Sequence, residues 1–344
     1  MKRRLSAALI SCLFSGLAIA DPAFVNVAGV APRVLSAAPE APGHAEIERL
    51  LTRPADLWER LRQGFAIPDV DPRLVAQHEA WYAARPELVR AIFGRGRRYL
   101  HYIIEEVERR GLPAELALLP AVESGFNPRA LSSANASGLW QFIPETGTRF
   151  QLSQTPHFDA RRDVRASTGA ALEYLQELYR LHRDWSLALA SYNWGENSVL
   201  RAVGQSKARG RDGTFDTLSL PEETRNYVPR LLALRNIVND PARFGLDLGE
   251  LADEPFFTAV PLEFELDLRV AARLADLPYE DLVALNPGYN QHNTVRGFAS
   301  SLVVPIESAE ALHAALETYR AERAAEQARQ KARQQARPKA PRRR

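Results

Sequence analysis

From Ile47 to Asp240, apolar positions recur every three or four residues, the period of a helix with one buried face. The segments DLWERLRQGF, LVAQHEAWYAARPELVRAIF and RRYLHYIIEEVERRG each carry that spacing. So do STGAALEYLQELYRLH, DWSLALASYNWG and RNYVPRLLALRNIVND. Gly111 closes the third segment and Leu112-Pro113 opens the next, a stop followed by a start. Clear strand alternation is absent before Asp240, so the pattern predicts an all-helical region of about 200 residues, within the usual size of one domain.

After FGLDLGELADEP the period changes. FFTAVPLEFEL and SSLVVPI have β composition and bracket two short helical runs, LRVAARLADL and YEDLVALNPG. Strand, two short helices, strand over 255–306 resembles the order of a lysin-motif module, a binder of N-acetylated glycans. The usual Gly-Asp-Thr-Leu opening is replaced by Glu265-Leu266-Asp267-Leu268, so a plain packing subdomain stands beside the sugar-binding reading. Residues 307–344 predict a helix, SAEALHAALETYRAERAAEQARQKARQQ, and a disordered basic end. The expected fold is mainly α, a helical domain followed by a small α/β module.

Composition narrows the function. The hydrophobic fraction of 46% over 344 residues is enough for real cores. The formal net charge of +2 conceals an asymmetry: residues 319–344 carry +8, and Lys2, Arg3 and Arg4 add +3, which leaves −9 for residues 21–318. A body of that sign lacks the broad basic face that nucleic-acid binding needs. The tail alone could meet a polyanion, as a weak contact with anionic lipid or wall polymer. With one cysteine there is no intramolecular disulfide, and the seven histidines never fall at metal-ligand spacing, so neither a metal nor another cofactor is expected. Residues 1–20 read as a secretory signal: a basic start, an apolar run, and Ala18-Ile19-Ala20 before Asp21-Pro22. Leu9-Ile10-Ser11-Cys12 resembles a lipoprotein box but sits mid-run, so cleavage after Ala20 is the favoured expectation. The chain would then be exported and periplasmic. An Ala/Pro-rich linker at 21–45 and a helical lead-in at 46–96 precede the main helical domain at 97–240.

The candidate chemistry centres on LLPAVESGFNPRALSSANASGLWQFIP. Leu116, Leu119 and Glu123 share a helix face by spacing, which places a carboxyl on the apolar stripe. Desolvation there raises its pKa and keeps it protonated near neutrality. Pro120 interrupts the hydrogen bonding, so the projection is approximate.

These residues resemble the motifs of family 1 lytic transglycosylases. Glu123-Ser124-Gly125-Phe126-Asn127-Pro128 is similar to the first, and Gly138-Leu139-Trp140-Gln141-Phe142-Ile143-Pro144 to the second, with Trp140 where many members carry Met. Tyr192-Asn193-Trp194-Gly195 is similar to the third and Glu223-Thr224-Arg225-Asn226-Tyr227-Val228 to the fourth. The lead-in and the Trp-Gln-Phe form resemble the membrane-bound lytic murein transglycosylase D subgroup. The resemblance implies a goose-lysozyme-like helical fold acting on peptidoglycan glycan strands. It implies cleavage of the β-1,4 bond between N-acetylmuramic acid and N-acetylglucosamine, with closure of a 1,6-anhydromuramyl end. Glu123 would act first as general acid and then as base. Ser132, with Ser133 as alternative, would contact the muramyl N-acetyl group, and Gln141 would bond the sugar near the cleaved linkage. Tyr192 would orient or hydrogen-bond Glu123, Asn193 would hold the loop, and Glu223 and Tyr227 would line or brace the groove. Glu223 also reads as a helix-starting acid with Ser219 as N-cap. Trp140, Phe142 and Trp194 read equally as sugar-stacking or core aromatics.

Two other readings compete. A goose-type lysozyme hydrolase needs a second, water-activating acid, for which Asp159, Asp163 and Glu196 are candidates. A non-catalytic wall-binding or scaffold protein would rely on residues 255–306 and the tail.

Overall fold

A computed structural model describes residues 54–294 and 301–335. The expected leader at 1–20 with Cys12, the linker at 21–45, the opening of the lead-in and the basic end beyond 335 lie outside the described residues. Several helices start where an aspartate takes up first-turn N–H groups that have no partner of their own. Asp56 starts α1 (Leu57–Gln63) by accepting from the Trp58 amide, and Asp71 starts α2 (Pro72–Ala83) through the Arg73 amide. Pro86 cannot continue α2 and opens α3 (Pro86–Gly96) instead. α4 (Leu100–Arg109) gives way to Gly111 at φ +62°, as its sequence position predicts.

A 3-10 turn (Ala114–Leu118) then leads into α5 (Leu119–Glu123), and α6 (Pro144–Arg149) interrupts a long irregular stretch. Asp163 and Asp184 start α7 (Val164–His182) and α8 (Trp185–Trp194), which pack together as a helical hairpin. α9 (Glu196–Ala208) follows directly, and α10 (Glu222–Asn239) closes the helical region. α10 opens from Pro221 with no side-chain cap, so the expected Ser219 cap is corrected: Pro221 presets the backbone for the first turn, where Glu222 and Glu223 stand.

α10 is the central helix. It packs on α1, α2, α5, α8 and the 3-10 turn, and Leu231, Leu232, Leu234, Ile237 and Val238 are all buried. Each such side chain contributes roughly 1.5–3 kcal/mol through apolar area removed from water. An ionic knot fastens the lead-in to this body. The buried Arg60 of α1 donates to Glu105 and Glu108 of α4 and, at 2.8 Å, to Asp253 in the segment after α10.

The predicted strand–helix–helix–strand order follows. β1 (Phe257–Pro261) pairs antiparallel with β2 (Ser301–Pro305), with Phe257 opposite Pro305 and Pro261 opposite Ser301. Between them in sequence lie α11 (Leu268–Leu274) and α12 (Tyr279–Leu285), and α13 (Ile306–Gln335) runs on from β2 across the sheet. This module is clamped to the loop before α7. The Asp159 amide donates to the Gly288 carbonyl at 2.8 Å, and Phe158 meets Tyr289 edge-on at 5.1 Å. Gly288 is required there, because a Cβ would stand 2.7 Å from the Phe158 ring.

Candidate active site

Pro120 starts α5; it does not kink a longer helix. A proline in the first turn sacrifices no helical hydrogen bond, so the 3-10 turn and α5 can meet at that point. The shared face expected for Leu116, Leu119 and Glu123 therefore spans two elements of different pitch. The burial argument holds nonetheless for its apolar members: Leu116 and Leu119 are fully enclosed.

After Glu123 the chain reverses sharply. Gly125 and Phe126 adopt φ +59° and +56°, and the Phe126 ring is buried against Gly96. The Ser124 hydroxyl donates to the Leu139 carbonyl at 2.9 Å and so ties the Glu-Ser turn to the Gly-Leu-Trp-Gln segment. Gly138, at φ +89°, passes so close to the Arg161 carbonyl that no side chain fits. The Trp140 indole enters the core and donates to Thr168 at 3.0 Å, so Trp140 is a core aromatic, not a sugar platform. Phe142 is nearly fully buried as well, yet its edge lines the groove, and half-buried Trp194 does so more openly.

That groove is a cavity of about 520 Å³ whose lining includes Glu123, Ser132, Gln141, Tyr192, Asn193 and Glu223, residues scattered over a hundred positions of chain. Tyr227, the remaining site candidate, is buried behind it and donates its hydroxyl to Glu123 Oε1. Tyr192 was expected to orient or hydrogen-bond Glu123, and the hydrogen bond comes from Tyr227 instead. The Tyr192 hydroxyl donates to the Trp140 carbonyl at 2.8 Å, which braces the second motif, while α10 delivers Tyr227 to the acid. Asn193 holds a helix junction: its Oδ1 accepts from Thr224 at 2.7 Å, joining the end of α8 to the start of α10. The Ser132 oxygen accepts from the Ala134 and Ala136 amides, so it organises its own loop while its hydroxyl proton remains for the groove. Gln141 donates to the Gly138 carbonyl at 2.8 Å, which leaves its amide oxygen as an acceptor.

Glu123 is half-buried, open to the groove on one side and enclosed by protein elsewhere. Burial pushes its carboxyl up to about 7; the Tyr227 hydroxyl opposes that rise and the nearby charge of Glu223 adds to it. The same enclosure, with the Glu123 charge beside them, raises Tyr192 and Tyr227 well above the usual phenol range, so both stay protonated donors.

The other acids have different settings. Asp159 is buried in a two-pronged pair with Arg161, at 3.0 and 2.8 Å, and Asp163 caps α7. Glu196 does line the groove, but it accepts from Tyr174 at 2.7 Å and pairs with Arg149 at 2.9 Å, and those partners lower its pKa against the cost of burial. The sequence offers Glu196 as a candidate acid but not the Tyr174 and Arg149 that hold it, because Tyr174 reads only as one apolar position of an amphipathic helix.

With this geometry in view, comparisons with known proteins are informative. Residues 101–215 match the Transglycosylase SLT domain, and residues 256–321 match the family described as Lytic transglycosylase MltD, LysM-like domain. The chain is 36% identical over 266 residues to the membrane-bound lytic murein transglycosylase D of Escherichia coli, covering 76% of this chain and 58% of that one. It thus spans little more than half the length of that relative. It is 30% identical over 149 residues to the membrane-bound lytic murein transglycosylase C of Glaesserella parasuis, over 39% of this chain and 41% of that one. Among solved structures, an inactive mutant of lytic transglycosylase Slt from Pseudomonas aeruginosa is matched at 20% identity and TM-score 0.32, over 62% of this chain and 46% of that one. Two successive segments of the chain are thus similar to a transglycosylase SLT domain and to the LysM-like domain of lytic transglycosylase MltD.

Proposed function

We propose that this chain is a peptidoglycan lytic transglycosylase, cleaving the β-1,4 bond between N-acetylmuramic acid and N-acetylglucosamine and leaving a 1,6-anhydromuramyl end. The single observation that carries the reading is a carboxyl raised to about 7 at the base of a groove, with a tyrosine donor on one oxygen. An acid with that pKa is substantially protonated at neutral pH and readily gives its proton up. Glu123 donates to the glycosidic oxygen as the C1–O bond breaks and the N-acetylglucosamine leaves as an alcohol. The resulting carboxylate takes the proton of the muramyl C6 hydroxyl, whose oxygen bonds to C1. The nucleophile is tethered to its own electrophile, and such attack reaches effective molarities of order 10⁵–10⁸ M. No second acid is needed to prepare water.

In this reading Tyr227 holds Glu123 and Tyr192 holds the segment that carries Gln141. Gln141 and Ser132 bond the sugars, Asn193 fixes the α8–α10 junction, and Glu223 lines the glycan path and keeps Glu123 protonated by its charge. The hydrolase reading would enlist Glu196, whose bonds to Tyr174 and Arg149 tie it into the groove wall. Mass spectrometry of digested murein separates the two: anhydro ends are expected, and reducing muramyl ends would mean hydrolysis. We further infer export to the periplasm, and contact of the basic tail with anionic lipid or wall polymer. Among the described residues no helix is long and apolar enough to cross a membrane.

A further inference from the structure

The groove continues past Glu123. Glu123 and Gln141 also line a second cavity, of about 740 Å³, whose outer wall is built by the lead-in helices: His78 and Trp81 from α2, Leu88 and Arg95 from α3. Leu131 and, from α10, Arg230 complete it. The two cavities meet at the acid and carry opposite charge. Among the described residues, the first is lined by Glu123, Glu196 and Glu223 and by no cation, Arg149 standing behind the lining where it pairs with Glu196. The second has Arg95 and Arg230, with Glu123 its only carboxylate among the described residues.

Among the described residues neither guanidinium has a counter-ion. Arg95 donates from Nε to the Gly125 carbonyl at 2.7 Å, and it lies so close over that glycine that a Cβ would stand 2.9 Å from Nη2. Its terminal nitrogens are bonded to no carboxylate among the described residues. Arg230 is half-buried and, among the described residues, has neither an ion pair nor a hydrogen bond. Its charge is felt by its neighbours, lowering the proton affinity of His78 and opposing the rise at Tyr82. A partly desolvated guanidinium without an anion is costly, and a carboxylate is the ligand its planar fork matches best. Around the pair lie exposed apolar surfaces: Trp81 at 44%, Leu131 at 60% and Leu88 at 37% accessibility.

We propose that this second arm binds the peptide stem of murein, an inference that rests on the glycan reading of the first arm. The glycan backbone is uncharged and can lie along the acidic arm without repulsion. Each muramyl residue, however, bears a lactyl ether in amide linkage to a short peptide with free carboxylates and small apolar side chains. That peptide branches from the same ring whose C1–O bond Glu123 protonates, so it must leave the site beside Glu123. Arg95 and Arg230 pair with its carboxylates, and Trp81, Leu88 and Leu131 cover its alanyl side chains. The lead-in helices thereby make the site selective for peptide-bearing strands over bare glycan.

The test uses the full chain with Glu123→Gln, which binds without cutting, and two probes: glycan strands with their peptides, and the same strands stripped by an amidase with the lactyl carboxylate so exposed capped as its methyl amide. The peptide-bearing strands should bind about tenfold or more tightly, the scale of a lost charge-assisted bond. Arg95→Gln, at an exposed position that the core does not depend on, should shrink the preference about threefold. Arg95→Gln with Arg230→Gln should bring the two affinities within about twofold, with thermal melting confirming the fold. Equal affinity for both probes before either arginine is changed, or a preference that survives both changes, overturns the proposal. Whether wild-type chain leaves anhydro or reducing ends is scored separately on peptide-bearing strands, so loss of the transglycosylase reading would appear there and not in the affinity ratio.

Discussion

Glu115 and Glu123 sit on one short stretch of chain, both carry raised pKa values through burial, and they do opposite things. Glu115, in the 3-10 turn, is fully enclosed and accepts from the Ala66 amide at 3.0 Å and the Ile67 amide at 2.8 Å, with Arg235 at 4.0 Å. It stitches the turn to the loop after α1 and has no path to a ligand. Glu123 has a single side-chain donor, Tyr227, and opens to a groove. Burial supplies the raised pKa in both; what separates a proton donor from a structural carboxylate is the number of protein groups already holding it. An acid bonded from several sides is fixed in charge and place, whereas one held from a single side can exchange its proton with a substrate.

The largest effect that would break this contrast concerns catalysis. Glu123→Gln should lower kcat by about 10³-fold or more, since one group performs both proton transfers, and it should leave the far-ultraviolet spectrum unchanged. Glu115→Ala should act on stability, costing about 2 kcal/mol in denaturant unfolding by stranding the buried Ile67 amide and releasing the Ala66 amide, with kcat of the folded fraction within twofold of wild type. Activity loss without destabilisation at Glu115 would erase the distinction.

A third effect follows from linkage. The Glu123 carboxyl has a folded value near 7, above its ordinary 4.5, so between those two values the folded state binds more protons than the unfolded one. Stability from this group is therefore undiminished below about 4.5, falls as pH rises through that window, and is fully lost above about 7. Glu123→Gln should remove that pH dependence and stabilise the protein by roughly 1–2 kcal/mol at pH 8, measured by urea unfolding across pH. Smallest of the four, Tyr227→Phe should reduce the rate about tenfold and move the alkaline limb of the pH–rate profile upward, because the lost hydroxyl favours the carboxylate. A downward move would mean that Tyr227 stabilises the acid form instead.

The parts of this picture legible in the sequence were those with local causes. The periodic segments became α1–α4, α7, α8 and α10, and Gly111 marks a boundary that needs only neighbouring residues. The β–α–α–β order of the module was legible for the same reason. What escaped depends on contacts between distant elements. That Tyr227, and not Tyr192, reaches Glu123 follows from how α10 crosses behind α5. Pro120 reads equally as a kink or a start until the 3-10 turn before it is known. The lead-in helices read only as a packed extension, yet Trp81 and Arg95 wall the groove, because α2 packs along α10 and α3 against α5. For the site itself, five motif residues and Ser132 line one cavity with Tyr227 behind it, while the bonds by which Tyr174 and Arg149 hold Glu196 left no mark in the pattern.

The central claim, that Glu123 closes a ring and does not activate water, is tested most directly by digesting murein in ¹⁸O-labelled water and weighing the released muramyl ends. The account predicts anhydro ends with no label incorporated at the cut. Reducing ends carrying one ¹⁸O per cleavage would contradict it.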